Sequence, residues 1–372
     1  MSNSALNAPA IEVLVEDCVA VSRRISGEAG TPAVVVSPYR FNPLGAHIDH
    51  QGGQVLARCI NQYTVLCFWP SDTAINTLYA SVGGDGWQSV SFHCRELEAE
   101  YGWDSMARAS AAALNDHSPL STGMTAVVFG TMISSGLSSS ASVILAYISA
   151  LSSLNDIDLR SEDLVELSRR VENDYRGLNN GIQDQMSIVF GRQNHLTLLD
   201  VESVSAQHGK DTSSATDFQF LMCYSGVSRD LAGSGFNTRV SECKQAAALL
   251  HNDAIHLGQV PFEKRQEENL NQLPLMLGRR AKHVYTEMAR VVEGMHAWTQ
   301  GEFEKFGRLM NLSCQSSIYD YQSGSEWLIA LHEIARDIDG VYGNRFSGGG
   351  YGGCLFMLVD SSKTEEVAAN LL

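Results

Sequence analysis

A β-prone run, Thr125 to Thr131, gives way to Gly136-Leu137-Ser138-Ser139-Ser140-Ala141, and then to an apolar, helix-forming segment from Ala141 to Leu151. This strand–loop–helix order is the strongest constraint in the chain. A helix N-terminus offers unpaired N–H groups and the positive end of the helix dipole. Glycine lets the backbone approach an anion closely, and three serines add hydroxyl donors and a metal ligand. Taken alone, the loop fits two readings, a phosphate site and a plain serine cap of the helix.

The better-known phosphate and metal motifs are absent from the sequence. It contains no G-x-x-x-x-G-K-[ST], which removes the P-loop enzymes. Gly348 to Gly353 satisfies G-x-G-x-x-G, but the β-type run Cys354–Asp360 follows where a dinucleotide site needs a helix. His332-Glu333 opens an H-E-x-x pattern that Arg336 breaks. The eight cysteines include no C-x-x-C pair, so buried reduced thiols are expected rather than zinc or disulfides. His47-Ile48-Asp49-His50 is the one candidate metal cluster, and no metal is expected there. Asp184, in Gly181-Ile182-Gln183-Asp184-Gln185, could be a base, a metal ligand or a turn-former. Arg40 is equally open.

At 372 residues, roughly 150 residues per domain gives two domains. Lys and Arg total 26 against 42 Asp and Glu, a net charge of −16, which argues against a nucleic-acid partner. A pocket on an acidic chain can still be basic. No apolar run approaches the roughly 20 residues of a membrane span, and the acids near the N-terminus do not suit a signal peptide. A cytoplasmic protein is expected, with a monomer favoured.

The periodicity predicts a helix within residues 1–30, a β-branched run Ala33–Ser37, and an ordered loop across SPYRFNPLGAHIDHQGG. Strands are expected at Val55–Ile60 and Tyr63–Trp69, and a hairpin about Asp85-Gly86. Helices are expected at Trp103–Leu114 and at Ser161–Tyr175, the latter capped by Ser161. GLNNGIQDQ reads as loop, His195–Asp200 as strand, Val201–Asp217 as linker, and Phe218–Tyr224 as strand. Helices follow near 238–257, 281–300, 302–312 and 326–337. The mix is α+β, divided as an N-terminal lobe 1–200, a linker 201–217 and a C-terminal lobe 218–372.

Several segments in order change the weight of each. PYRFNPLGAHIDHQGG, SSGLSSSAS and SGGGYGGC resemble the three signatures of the galactokinase branch of the GHMP small-molecule kinases. ENDYRGLNNGIQDQ resembles the segment bearing that family's catalytic aspartate, and YSGVSRDLAGSGFNTRVSEC its later substrate loop. The resemblance spans residues 32–358. It implies two α+β lobes with the active site between them, and ATP-dependent phosphorylation of a sugar's anomeric hydroxyl with Mg2+. Carried over, Asp184 faces the C1 hydroxyl with Arg40 beside it, and a neighbouring guanidinium favours a charged carboxylate. Gly136, Leu137, Ser138, Ser139 and Ser140 hold the phosphates. Ser140 and Glu172 match the magnesium positions, Trp103 an adenine-pocket aromatic, and His47, Asp49 and Gly181 the sugar contacts.

The departures bear on specificity. Galactokinases carry a glutamate that reaches the sugar's 6-hydroxyl where this chain has Ala46. A uronic acid carries a carboxylate there, which a glutamate would repel. Arg229 stands in place of a histidine and is the favoured cation for that carboxylate, with Arg176 and Arg239 also near. Phe236 replaces a substrate-contacting tyrosine, and Tyr39 replaces a glycine. AHIDHQGG and NTRVSEC resemble galacturonokinases most. The expectation is a D-galacturonate 1-kinase acting on a small-molecule sugar acid; a galactokinase and a catalytically silent sugar sensor are the alternatives. Asp184, Arg40 and an intact GLSSSA argue against the sensor.

Overall fold

The computed structural model describes residues 10–81, 86–95, 102–132, 137–175, 177, 180–211, 217–227 and 235–371. The chain forms two compact units, one of Met1–Tyr39, Ile60–Ile133 and Ser139–Gly177, the other of Arg40–Cys59, Ser134–Ser138 and Leu178–Leu372. No helix among the described residues is long and apolar enough to cross a membrane.

The first unit opens with α1 (Ile11–Ser26), which stops at Gly27 in the left-handed conformation, φ 72°. Strands β1 (Ala33–Leu44) and β2 (Val55–Pro70) each give residues to both units. Then come β3 (Ile75–Ser81), β4 (Trp87–His93), α2 (Ser105–His117), β5 (Met124–Gly130), α3 (Ser139–Leu154) and α4 (Ser161–Arg170), which runs on as a π-helical turn, Val171–Tyr175. Strand β3 pairs antiparallel with β4 and parallel with β5, and β5 pairs antiparallel with Thr64–Pro70 of β2. One face of this sheet (Leu66, Phe68, Leu78, Phe92) packs on Ala107, Ala111 and Leu114 of α2 and on Ile144, Tyr147, Ile148 and Leu151 of α3. Alanines at the α2 contact let α2 and α3 approach closely.

In the second unit α5 (Gln183–Val189) leads to β6 (His195–Asp200) and β7 (Ser205–Lys210), an antiparallel pair extended by Val55–Ala57 of β2. After β8 (Phe218–Tyr224) the chain is mostly helical: α6 (Phe236–Leu250), α7 (Glu267–Leu270), α8 (Leu275–Thr299), α9 (Phe303–Tyr319) and α10 (Glu326–Arg336). Strands β9 (Val341–Phe346) and β10 (Cys354–Asp360) and helix α11 (Thr364–Asn370) close it. Strand β10 lies between β8 and β9, antiparallel to both. That central place explains its unbroken apolar run, buried from Cys354 to Val359. Trp298, fully buried near the end of α8, meets the rings of Phe218, Phe303 and Phe306.

Several expectations are corrected. The loop expected from Ser37 is strand as far as Leu44, because among the described residues β1 pairs with β2 alone and an edge strand tolerates Pro38 and Pro43. The two strands at 55–69 are one, β2. Arg160, not Ser161, holds the cap position of α4, and its N–H reaches Asp163 at 3.1 Å. Part of the expected loop at 177–185 is helix α5, and the expected linker 201–217 contains β7. The compact units interleave along the sequence.

Candidate active site

The second unit brings two of the sequence-selected residues, Arg40 and Ser138, onto the carboxylate of a third, Asp184. Arg40, on β1, is 2% exposed, whereas Asp184, in the first turn of α5, keeps 27%. Arg40 Nε donates to Asp184 Oδ1 at 3.0 Å and Nη2 donates to the same oxygen. Ser138 Oγ donates to Oδ2 at 2.5 Å. Two further bonds fix the guanidinium strand: Arg40 Nη1 to Ser347 Oγ at 3.4 Å and Arg40 N–H to Leu137 C=O at 3.3 Å. Ser138 has φ 56°, a conformation that costs a non-glycine residue about 1–3 kcal/mol. Its bond to Asp184 offsets that cost.

Asp49 lies beside this pair. Its carboxylate accepts from the backbone N–H of Gln183, the first residue of α5, so the helix is capped by a residue far away in sequence. Burial pushes its pKa up and the Asp184 charge adds to the rise, against the pull of His50. Gly181 makes this approach possible, because a methyl there would stand 2.1 Å from Asp49 Oδ2. Its smallness, rather than any polar group, is what the position requires.

Ala46 and His47 are held from behind by α8. Glu287 Oε1 accepts from the N–H groups of Gly45 at 2.7 Å and Ala46 at 3.1 Å, and from Ser313 Oγ at 2.6 Å. His283, one turn earlier on the same face, is 2.9 Å from the Ala46 carbonyl through Nε2 and 2.9 Å from Ser316 Oγ through Nδ1. His47, at φ 58°, lies 3.1 Å from Ser323 Oγ through Nε2 and stacks on Tyr321 at 4.3 Å. Burial, then the neighbouring His283, drives the His47 pKa well below the usual imidazole range, and burial takes His283 down to about 4. Both rings are neutral at pH 7. Phe236 opens α6 with its ring edge toward His50 and within 6.4 Å of His47.

Glu287 is fully buried. Burial pushes its carboxyl up, but Arg290, His283 and Arg345 outweigh that and bring it from 4.5 to about 2. A depressed pKa gives stability that is full above pH 4.5 and lost as pH falls toward 2. Glu287→Gln should therefore cost roughly 3 kcal/mol at neutral pH, and chemical denaturation from pH 7 to 2 should show a flatter acid loss than wild type.

The first unit carries the other sequence-selected residues. Ser139 and Ser140 open α3, and Ser140 Oγ donates to Glu172 Oε1 at 2.9 Å. Glu172 is 2% exposed. A hydroxyl and a carboxylate are the hard oxygen donors Mg2+ takes, alongside phosphate and water. Trp103 is half-buried and packs, with Met106, against the α2–α3 core. Tyr39, whose replacement of glycine had no account in the sequence, is 2% exposed and bonds to Thr64. Gly136, Arg176 and Arg229 lie outside the described residues.

Sequence reading missed the support from α8. Arg280, His283 and Glu287 are buried on the same helix as Leu277, Val284 and Val291. Polar residues set into an apolar helical stripe were the available signal.

Three family descriptions match: a galactokinase galactose-binding signature at residues 23–70, the GHMP kinases N terminal domain at 105–192, and the GHMP kinases C terminal domain at 292–372. A galacturonokinase of Arabidopsis thaliana is 36% identical over 378 residues, covering 94% of this chain and 88% of the relative. A galactokinase of Staphylococcus carnosus is 31% identical, covering 89% and 86%. Among solved structures, Lactococcus lactis galactokinase complexed with galactose superposes with a TM-score of 0.88 at 26% identity, covering 96% of this chain and 93% of that one.

Proposed function

The chain belongs to the GHMP kinase family and is a sugar kinase, a phosphotransferase with ATP as donor and an alcohol as acceptor; on that premise we propose that its acceptor is the anomeric hydroxyl of D-galacturonate, giving α-D-galacturonate 1-phosphate and ADP. The observation that carries this reading is Ala46. Its N–H is taken by Glu287 and its C=O by His283, so only a methyl remains for the ligand. The family resemblance puts the sugar's C6 here, and a methyl admits a carboxylate that a glutamate would repel. The 36% identity to a galacturonokinase supports the same choice.

The chemistry then divides among this chain's residues. Asp184 orients the C1 hydroxyl and takes its proton as that oxygen bonds to the γ-phosphorus of ATP and the bond from this phosphorus to the β–γ bridging oxygen breaks, releasing ADP, with the second carboxylate oxygen steadied by Ser138. Arg40 fixes the carboxylate and offsets charge as the phosphoryl group moves. Such a loose transition state needs positioning and electrostatics above all. His47, neutral, and Asp49, with its raised pKa, exchange hydrogen bonds with sugar hydroxyls. Phe236 offers a ring edge where a tyrosine would offer a hydroxyl. Gly136 to Ser140 cradle the phosphates, and Trp103 offers its half-exposed ring to the adenine. Ser140 and Glu172 would hold Mg2+, which screens the phosphate charge when bound. Arg229 is a candidate from the sequence for the C6 carboxylate. Eight cysteines without a disulfide support a reducing, cytoplasmic setting.

The test is ADP release with ATP, magnesium and each of galacturonate, glucuronate and galactose. The highest kcat/KM is expected with galacturonate. A preference for galactose would leave Ala46 as neutral drift within a galactokinase.

A further inference from the structure

One polar cluster in the second unit is incompletely paired. Arg239 lies one turn after Phe236 on α6, and Phe236 faces His47 and His50. Arg239 Nη1 donates to Glu242 at 3.0 Å, but Glu242 is shared: Arg280 Nε donates to the same oxygen at 2.7 Å. Arg280 is otherwise satisfied, with Nη1 on the Asp320 carbonyl at 2.5 Å and Nη2 on Gln322 at 2.9 Å. The Asp320 carboxylate turns to Ser316 instead. Two guanidinium groups thus share one carboxylate, and a positive charge is left over. The unused donor belongs to Arg239, whose Nε is buried and has no partner among the described residues.

A second unused group lies beside it. Tyr351 is the only residue with a side chain in the glycine run 348–353. Its hydroxyl is buried and also has no partner among the described residues. It lies at the start of α6, where a methyl on Gly235 would come 3.7 Å from it, and the Gly235 carbonyl accepts the Arg239 N–H at 3.1 Å. Both donors therefore flank the first turn of α6, next to the His47 loop. The Arg239 charge is felt there, adding to the burial that keeps His47 neutral. Buried donors without acceptors are costly and uncommon in a folded chain. An anionic ligand oxygen at each would satisfy both, and a neutral hydroxymethyl group could not balance the charge.

We propose that Arg239 and the Tyr351 hydroxyl form the carboxylate subsite that selects a uronic acid over a neutral hexose. This rests on the uronate reading above and names the residues that carry it out. Arg239 donates from Nε to one carboxylate oxygen and Tyr351 from its hydroxyl to the other. Glu242 and Arg280 hold the guanidinium in place and act as positioning residues.

The test uses the full-length enzyme and the variants Arg239→Gln, Arg239→Lys, Tyr351→Phe and Arg229→Gln, with kcat and KM measured for galacturonate and galactose. The galacturonate-to-galactose ratio of kcat/KM should fall about 100-fold in Arg239→Gln, carried by KM for the acid. It should fall about 10-fold in Tyr351→Phe and in Arg239→Lys, which keeps the charge but loses the planar fork. Arg239→Lys keeps the test intact if the glutamine variant does not fold. Equal losses on both sugars, or a ratio that collapses only in Arg229→Gln, would overturn the subsite while leaving the uronate reading standing. Wild-type enzyme that prefers galactose would overturn both, and that result is read before any variant is made.

Discussion

Asp184→Asn should lower kcat about a thousandfold with galacturonate while the enzyme still folds and binds ATP. The amide keeps the shape of the side chain and an acceptor for Arg40, whose Nε donates at 3.0 Å. What it loses is the ability to take a proton and the charge that pairs with the guanidinium. A positioned general base contributes about 10²–10⁴ in rate, and the unpaired Arg40 charge adds to the loss, since only 2% of that side chain meets solvent. Steady-state kinetics and ATP affinity by calorimetry separate the two effects. A kcat within about tenfold of wild type would remove Asp184 from proton transfer, leaving it only a positioning part.

Ala46→Glu should act on specificity rather than on chemistry. The backbone at 46 is tied at both N–H and C=O, so loop movement does not absorb a longer side chain, which on the proposed reading extends toward the sugar's C6. Two carboxylates about 4 Å apart repel by about 4 kcal/mol at an effective dielectric near 20, which is about three decades in affinity. The kcat/KM for galacturonate should fall roughly a thousandfold, mostly through KM, and galactose should lose far less or gain. Glu287 does not supply such a repulsion in the wild type, because Arg290 at 2.7 Å and Arg345 at 3.8 Å balance its charge. Kinetics of this variant on both sugars check the claim, and an unchanged sugar preference would contradict it.

Part of the candidate site was legible because it is written in local segments. Arg40, His47 and Asp49 sit within ten residues, Ser138 to Ser140 are consecutive, and Asp184 follows Gly181 by three. Strands β6, β8 and β10 were legible from runs with a single dominant period. What was not legible depends on distant partners. Helix α5 is capped by Asp49, more than a hundred residues earlier, so the local sequence around Asp184 reads as loop. Strand β1 looks like a turn region because of its prolines, and only its edge position makes them tolerable. The clamp from His283 and Glu287 is invisible without knowing which loop α8 faces. Tyr39 shows its purpose only once Thr64 is seen against it. Of the proposed carboxylate subsite, Arg239 was one candidate among three in the sequence, and Tyr351 was hidden in a glycine run.

The most direct measurement is a competition. Equimolar galacturonate, glucuronate and galactose are incubated with the enzyme, magnesium and limiting ATP, and the phosphorylated products are identified by 31P and 13C NMR. The expected product is α-galacturonate 1-phosphate in large excess, with phosphorus coupled to the anomeric carbon. Galactose 1-phosphate as the main product, or phosphate on any carbon other than C1, would contradict the account.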